Sequence, residues 1–453
     1  MIEKILALTA RYKATNSKSE RKKKGQFFTS PNTALYMAQE VVRKAEHLSV
    51  LDPGCGNMIL SAAVIEYAKK TNLCNRFSVT AVENDLEIGK ELPTICEIIC
   101  DYVHENNGVV DFNIIADNFI LTDIEKTFDI VICNPPYKKL RKDSEESKKM
   151  NEVVYGQPNL YGLFMAKGIS LLRENGRFAY ITPRSWTSGQ YYSLVRRHIF
   201  ETVNIENIVL FQERNNVFKE ENVLQETIIA SGRREISQDE CVDIYTVTGD
   251  FEKNVGSISV SSRLIMDVGE YHCIVLPTST AEVDVLEKMG TIQSNLRSLG
   301  YTFKTGPVVE FRNMSYLSNV QKSNSVPMIR SANIVKGKCV FPTNVGKAQY
   351  VSSAATHLLI RNSPTVFVKR ITAKEEKRRI QSCVYYPSTS NPYISVENHV
   401  NYLVRLDGKP LTINEAERVN QALASNEYDL YYRIIGGSTQ VNSSELNELP
   451  FSM

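Results

Sequence analysis

Between residues 49 and 230, short apolar runs alternate with longer stretches of helical periodicity. Few folds accept such a pattern. Strand-like runs fall at 49–52, 77–83, 111–116, 128–133, 176–182, 205–211 and 223–230. Helix-like stretches fall at 59–70, after 83, and at 160–173. Strands that alternate with helices return through helical crossovers. That predicts a mostly parallel sheet with helices over both faces. In such sheets the functional groups gather at the carboxyl ends of the strands. From about residue 233 the alternation stops, and turns such as Gly249-Asp250, Gly306-Pro307, Asn391-Pro392 and Gly436-Gly437 punctuate shorter strand-like pieces. Two domains are therefore expected, 1–235 with an α/β doubly covered sheet and 236–453 with a mixed α+β fold.

Composition narrows the function classes. Across 453 residues, 53 Lys+Arg against 51 Asp+Glu leave a net charge of +2, which excludes a protein coated in basic residues but not a local basic groove. Hydrophobic residues at 42% and charged residues at 23% are ordinary for a globular chain, so disorder is not expected. The chain has no apolar run long enough to span a bilayer, and residues 1–20 lack the core and cleavage site of a secretory leader. Nine scattered cysteines, none in a CxxC pair, suit a reducing cytoplasm. Cys96, Cys100 and His104 share a helical face, but a fourth ligand is missing, so no metal is expected.

The chemistry is concentrated in four strand ends. Asn134-Pro135-Pro136-Tyr137 follows the apolar run at 128–133. Two prolines end the strand sharply and hold the Asn134 side chain and the Pro135 carbonyl in place. Both are acceptors suited to gripping a planar amino group, and Tyr137 adds a flat surface. Upstream, Asp52-Pro53-Gly54-Cys55-Gly56-Asn57 is a glycine turn between a strand and a helix, where backbone N–H groups can approach a ligand. Glu83 ends the next strand and is placed for ribose hydroxyls. Asp117 and Phe119 end a third, the first able to accept from an adenine amino group and the second to pack on a base ring. The bland alternatives are a plain Pro-Pro turn, a capping Asp52 and a solvated Glu83.

The order of these motifs resembles the S-adenosylmethionine-dependent adenine-N6 DNA methyltransferases of the gamma arrangement. Gly25-Gln26-Phe27-Phe28-Thr29-Ser30-Pro31 resembles that family's upstream cofactor motif. The later segments Thr305-Gly306-Pro307-Val308-Val309-Glu310-Phe311-Arg312, Glu397-Asn398-His399-Val400-Asn401-Tyr402 and Gly437-Ser438-Thr439-Gln440-Val441-Asn442 look like the PstI/BsuBI type of restriction–modification methyltransferase. The resemblance implies a class I methyltransferase fold, Rossmann-like with a seven-stranded sheet, followed by a target-recognition domain. It assigns Asp52, Gly54 and Cys55 to the methionine-side loop, with Thr29 and Pro31 beside them, Glu83 to the ribose, Asp117 and Phe119 to the adenine, and Asn134 to cofactor and catalysis together. The catalytic set becomes Asn134, Pro135, Pro136 and Tyr137, with Phe218 in Asn215-Asn216-Val217-Phe218-Lys219 as the second aromatic or, alternatively, an ordinary core residue. Met58 stands where the family often has another glycine, and Asn57, tolerant of left-handed backbone, is expected to carry the turn.

The implied partner is double-stranded DNA. Lys138, which opens a basic run expected to be a mobile loop, and Lys369, Arg370, Lys377, Arg378 and Arg379 are the candidate contacts, with a solvated charged face as the alternative. A cognate restriction endonuclease would be a separate chain, no membrane is involved, and a monomer is expected. Two rival readings stay open at this point. One is methylation of a protein glutamine amide or of RNA, which the same catalytic tetrad serves. The other is a DNA-binding protein with a decayed catalytic half.

Overall fold

The computed structural model describes residues 1–211, 226–235, 240–269, 271–343, 346–373, 376–387, 391–435 and 440–452. Phe218 and the segment around it, and residues 436–439, lie outside the described residues. The chain forms two compact units, Met1–Ser279 and Thr280–Met453.

The first unit is built on nine strands: β1 (Leu48–Pro53), β2 (Arg76–Val82), β3 (Val109–Ile115), β4 (Phe128–Cys133), β5 (Leu172–Pro183), β6 (Asn204–Phe211), β7 (Thr227–Arg233), β8 (Cys241–Thr248) and β9 (Lys253–Ser261). Their spatial order is β3-β2-β1-β4-β5-β7-β6-β8-β9. The first five are mutually parallel, and β7 runs antiparallel to both β5 and β6. The central strands β1 and β4 are buried along their whole length, as strands covered on both faces must be. One face packs Val50, Val79, Ile130 and Ile181 against the helices Pro31–Val41 and Ile59–Lys70. On the other face the helix Leu160–Ser170 lies close to Val131 and Tyr180, close enough that a Cβ on Gly168 would meet the Tyr180 hydroxyl.

The expected class I methyltransferase fold is thus present, with two differences. The sheet has nine strands rather than seven, because β8 adds in parallel to the open edge of β6 and β9 folds back on it. The boundary expected at 235 therefore falls inside the unit, which continues to Ser279. The loss of helical alternation after residue 233 marks a change in connection type, from crossover to hairpin, and not the end of the sheet. The largely exposed β9 is the edge strand on this side of the sheet.

The chain also begins with helices that strand–helix alternation did not reveal. Ile2–Thr15 buries Ile2, Ile5, Thr9 and Tyr12 along one stripe. Pro31–Val41 opens with Ser30 accepting from the Thr33 N–H and Pro31 in the first turn, and buries Ala34, Met37, Ala38 and Val41.

The second unit holds a six-stranded and a five-stranded sheet. The strands Thr365–Lys369, Ser382–Tyr385 and Val400–Arg405 supply the core of the first, around Phe367, Cys383 and Tyr402. Helices Ile413–Leu423 and Asn426–Ile435 complete a mixed α+β unit.

Candidate active site

The chain leaves β1 for β2 on one side and returns to β4 on the other, so the carboxyl ends of β1 and β4 flank the point where strand order reverses. A crevice forms there in open α/β sheets. A cavity of about 510 Å³ occupies it, within the size range of small-molecule sites.

Its floor is the turn after β1. Gly54 and Gly56 adopt left-handed φ values of +66° and +52°, and a Cβ on Gly54 would approach the Phe164 ring at 3.3 Å. The Gly54 and Cys55 N–H groups donate to the Val82 carbonyl at 2.7 and 3.1 Å, tying the turn to the end of β2. The left-handed non-glycine residue is Met58, with φ 55°, and not Asn57 as expected. Asn57 instead bonds Thr9 of the first helix and accepts from the Ile59 N–H at 3.4 Å.

Glu83 lies on the wall. Its two carboxylate oxygens accept from the Gly56 and Asp85 N–H groups, each at 2.8 Å. Burial pushes its carboxyl upward and these N–H groups oppose the shift. Each oxygen keeps a lone pair for a hydroxyl donor. Asp117 and Phe119 are on the same wall, as are Gly54, Cys55 and Thr29. Asp117 is exposed, and its Oδ1 accepts from the Asn118 N–H. Phe119 is buried against Phe164 with ring centres 5.0 Å apart.

Asp52 and Pro31 are not on that wall. Asp52 is 1% exposed, and its Oδ2 accepts from the Ser61 hydroxyl at 2.7 Å and the Ser61 N–H at 3.2 Å. It joins the end of β1 to the following helix. Burial, helped by the nearby Glu83 charge and opposed by the Ser61 bonds, pushes its carboxyl up to about 7.

At the end of β4, Asn134 and Pro136 reach the wall, and Pro135 between them is buried. The Asn134 amide donates to the Phe27 carbonyl at 2.7 Å and to Thr29 Oγ1 at 3.0 Å. With both N–H groups engaged, the amide plane is set, and Oδ1 remains buried without a partner. Tyr137 is fixed from two sides. Its N–H donates to the Gly25 carbonyl at 3.1 Å, and its phenol donates to the Ile181 carbonyl at 3.2 Å. Burial pushes that phenol well up. Its ring packs 5.1 Å from Phe27 and meets Tyr161 edge-on at 6.0 Å.

The segment after Tyr137, expected as a mobile loop, is closed at its neck. Leu140 donates to the Pro158 carbonyl at 3.0 Å and Leu160 donates to the Lys138 carbonyl at 2.8 Å. It carries a helical turn, Glu145–Lys149, that docks on the β3 side. Asn118 Nδ2 donates to Glu146 at 3.0 Å, and Lys149 pairs with Asp123 at 2.8 Å. Lys138 itself is exposed and borders the cavity.

Sequence reasoning missed several supporting residues. Lys167 donates to the carbonyls of Phe119, Ile120 and Thr122, at 2.6, 3.1 and 2.5 Å, and so shapes the turn that carries Asp117 and Phe119. A lone lysine in the apolar stretch 160–170 was the available signal. Tyr12, Lys24 and Gln26 all donate to Asp85 Oδ2, pinning the upstream segment against the end of β2. No local pattern predicts that convergence.

In the second unit the basic cluster does not act as one surface. Arg379 is 2% exposed; its N–H donates to Asp429 Oδ1 at 2.7 Å and its guanidinium to the Thr372 carbonyl at 2.9 Å. It is a core residue, and the expectation that it contacts DNA is corrected. Arg378 caps the helix Ile413–Leu423 through the Leu423 and Ser425 carbonyls, at 3.4 and 2.6 Å. Arg370 donates to the Asn398 carbonyl at 3.3 Å and to Gln440 at 3.2 Å. Lys377 is exposed and Lys369 half-buried.

The reversed β7 beside a parallel β3-β2-β1-β4-β5 array, with a glycine turn after β1, defines a class I methyltransferase. A family model described as "Eco57I restriction-modification methylase" matches residues 54–218. The chain is 30% identical to the type II methyltransferase M.PstI of Providencia stuartii, over 97% of this chain and 89% of that protein. It is 28% identical to the type II methyltransferase M.BsuBI of Bacillus subtilis, over 94% and 87%. The crystal structure of the type IIG restriction endonuclease BpuSI is similar in fold, with a TM-score of 0.51 at 13% identity, covering 99% of this chain and 60% of that one. The chain belongs to the type II restriction–modification methyltransferases and is a DNA methyltransferase of that family.

Proposed function

We propose that the protein methylates the N6 amino group of adenine in double-stranded DNA, using S-adenosylmethionine, as the modification component of a restriction–modification system. The observation that carries the reading is the Asn134 amide, whose NH₂ is pinned by Phe27 and Thr29 while its Oδ1 stays buried and unpartnered. A buried acceptor without a donor is costly and calls for a donor from outside the chain. An exocyclic amino group is such a donor.

The cavity suits the cofactor. Glu83 keeps acceptor capacity for two hydroxyls, Asp117 offers an acceptor, Phe119 an apolar wall, and the glycine turn an approach without side chains. When bound, the cofactor supplies a methyl group on a sulfonium leaving group. The amino lone pair of adenine is delocalised into its ring and is a poor nucleophile. Asn134 Oδ1 and the Pro135 carbonyl hold its two hydrogens, localise the lone pair on nitrogen, and stabilise the positive charge that grows there. The two prolines keep both acceptors in place before the base arrives, so little reorganisation is needed. An adenine in a duplex reaches this turn only by being flipped out, and the Tyr137 ring is the stacking surface for it.

The test is a transfer assay with labelled methyl donor and separate DNA, RNA and protein acceptors, followed by digestion of the labelled product. Label in N6-methyladenine of duplex DNA, abolished in Asn134→Ala while DNA binding persists, is the expected result. Label in a cytosine, in RNA or in a protein glutamine would overturn the reading, as would full activity in the Asn134→Ala variant.

A further inference from the structure

Two segments of the second unit that the active site leaves unused meet in space. Residues 306–312 and 397–399 are distant in sequence. Yet Val308 donates to the Val396 carbonyl at 3.1 Å, and Asn398 donates back to the Val308 carbonyl at 2.9 Å. A Cβ on Gly306 would lie 2.3 Å from the Glu397 carbonyl, so only glycine allows this approach. Beside the junction is a cavity bordered by Glu310, Phe311, Met314, Lys347, Asn398 and His399.

The rim is an exposed apolar projection. Phe311 is 73% exposed and Met314 67%. They sit on consecutive single-turn helices, Glu310–Arg312 and Met314–Tyr316. Asn313 braces the pair by accepting from the Val309 N–H at 3.1 Å and from the Tyr316 N–H at 2.9 Å. Two large apolar side chains held outward on a braced turn form a wedge.

The charges around the wedge favour a polyanion. Glu310 pairs with the buried Arg330 at 2.8 Å, and Glu397, 2% exposed, pairs with His399. Both acids thus have hydrogen-bond partners within the unit. Among the described residues, Arg312 and Lys347 make no ion pair, and the Arg312 guanidinium lies 5.3 Å from the Phe311 ring centre. The Glu397 carboxylate also sets the histidine tautomer. It can only accept, so His399 Nδ1 carries a proton toward it, and the Nε2 edge of the ring is left for a partner.

We propose that this face reads the DNA duplex. Phe311 and Met314 press into the base stack as an apolar wedge, as side chains do in proteins that kink DNA. Arg312 and Lys347 hold phosphates. His399 Nε2 hydrogen-bonds a base edge, so it reads one position of the recognition sequence. The proposal rests on the reading that the protein binds duplex DNA.

The test uses the full-length protein, with modified-base sequencing of methylated DNA and anisotropy of labelled duplexes. Wild type first gives the recognition sequence. Phe311→Ala/Met314→Ala should lower duplex affinity about tenfold or more, whereas Phe311→Leu, which keeps an apolar wedge, should retain it. His399→Ala should relax one position of the sequence by about tenfold. Lys347→Ala should weaken all sequences alike and reduce the salt slope by about 1. S-adenosylhomocysteine affinity by calorimetry and the thermal midpoint should be unchanged in every variant. Unchanged site choice and unchanged duplex affinity across these variants would overturn the proposal and leave the patch to another partner, such as a protein. A wild type that labels no DNA would sink the transfer reading alone, because duplex anisotropy tests the wedge without turnover.

Discussion

The side chains nearest the cavity divide into those that face it and those that hold it. Asp52 belongs to the second group. Its folded pKa of about 7 stands above the ordinary value of 3.8, so the native state binds its proton more tightly than the unfolded chain. Stability from this group is therefore present at low pH and is lost as pH rises from about 4 through 7. Asp52→Asn keeps an acceptor for Ser61 and removes the titration. It should stabilise the protein at pH 8 by up to about 4 kcal/mol and leave it unchanged below pH 4. Urea unfolding at both pH values checks this; an equal shift at both would refute it. Met58 poses the opposite balance. Its left-handed backbone costs about 1–2 kcal/mol, but its side chain is fully buried, and deleting such a side chain costs about 2–5 kcal/mol. Met58→Gly should therefore lower stability despite restoring the family's glycine. A more stable variant would show that backbone strain outweighs packing. Thr29→Val removes one of two acceptors that orient the Asn134 amide. A turnover loss of about tenfold at saturating cofactor is expected in single-turnover kinetics.

The elements that place the site were unequally visible. The helix Ile59–Lys70 and the strand Phe128–Cys133 match the runs read from sequence, because each is a mostly apolar run next to a turn, the glycine turn before the helix and Pro135-Pro136 after the strand. The first helices escaped notice, since their stripes are narrow and set among lysines and polar residues. Their contribution is tertiary. The upstream segment runs along the Asn134–Tyr137 turn, and Gly25 with φ +75° lies where a Cβ would sit 2.9 Å from the Tyr137 nitrogen. Gly25→Ala should push the two apart. We expect a loss of about 1–3 kcal/mol in stability and at least a tenfold drop in turnover. Wild-type values on both measures would show that the contact is slack.

At the scale of the whole molecule, the division at Ser279 has a direct consequence. A fragment ending at 235 exposes the β6 edge, whereas one ending at 279 keeps β8 and β9 on it. The longer fragment should be soluble and bind S-adenosylhomocysteine in calorimetry, and the shorter should aggregate. Equal behaviour of the two would remove β8 and β9 from the catalytic unit. The alternation of strands and helices and the polar strand ends by themselves determined the parallel sheet, the position of the glycine turn, and Glu83, Asp117 and Asn134 as candidates, because these depend on periodicity and on residue type at strand termini. The tertiary structure alone decided which candidates face the cavity. It turned Asp52 toward Ser61, buried Arg379 beneath Tyr432, left Asn134 Oδ1 without a partner, and joined residues 306–312 to 397–399. Burial and hydrogen-bond partners are set by segments distant in sequence, and no local pattern encodes them.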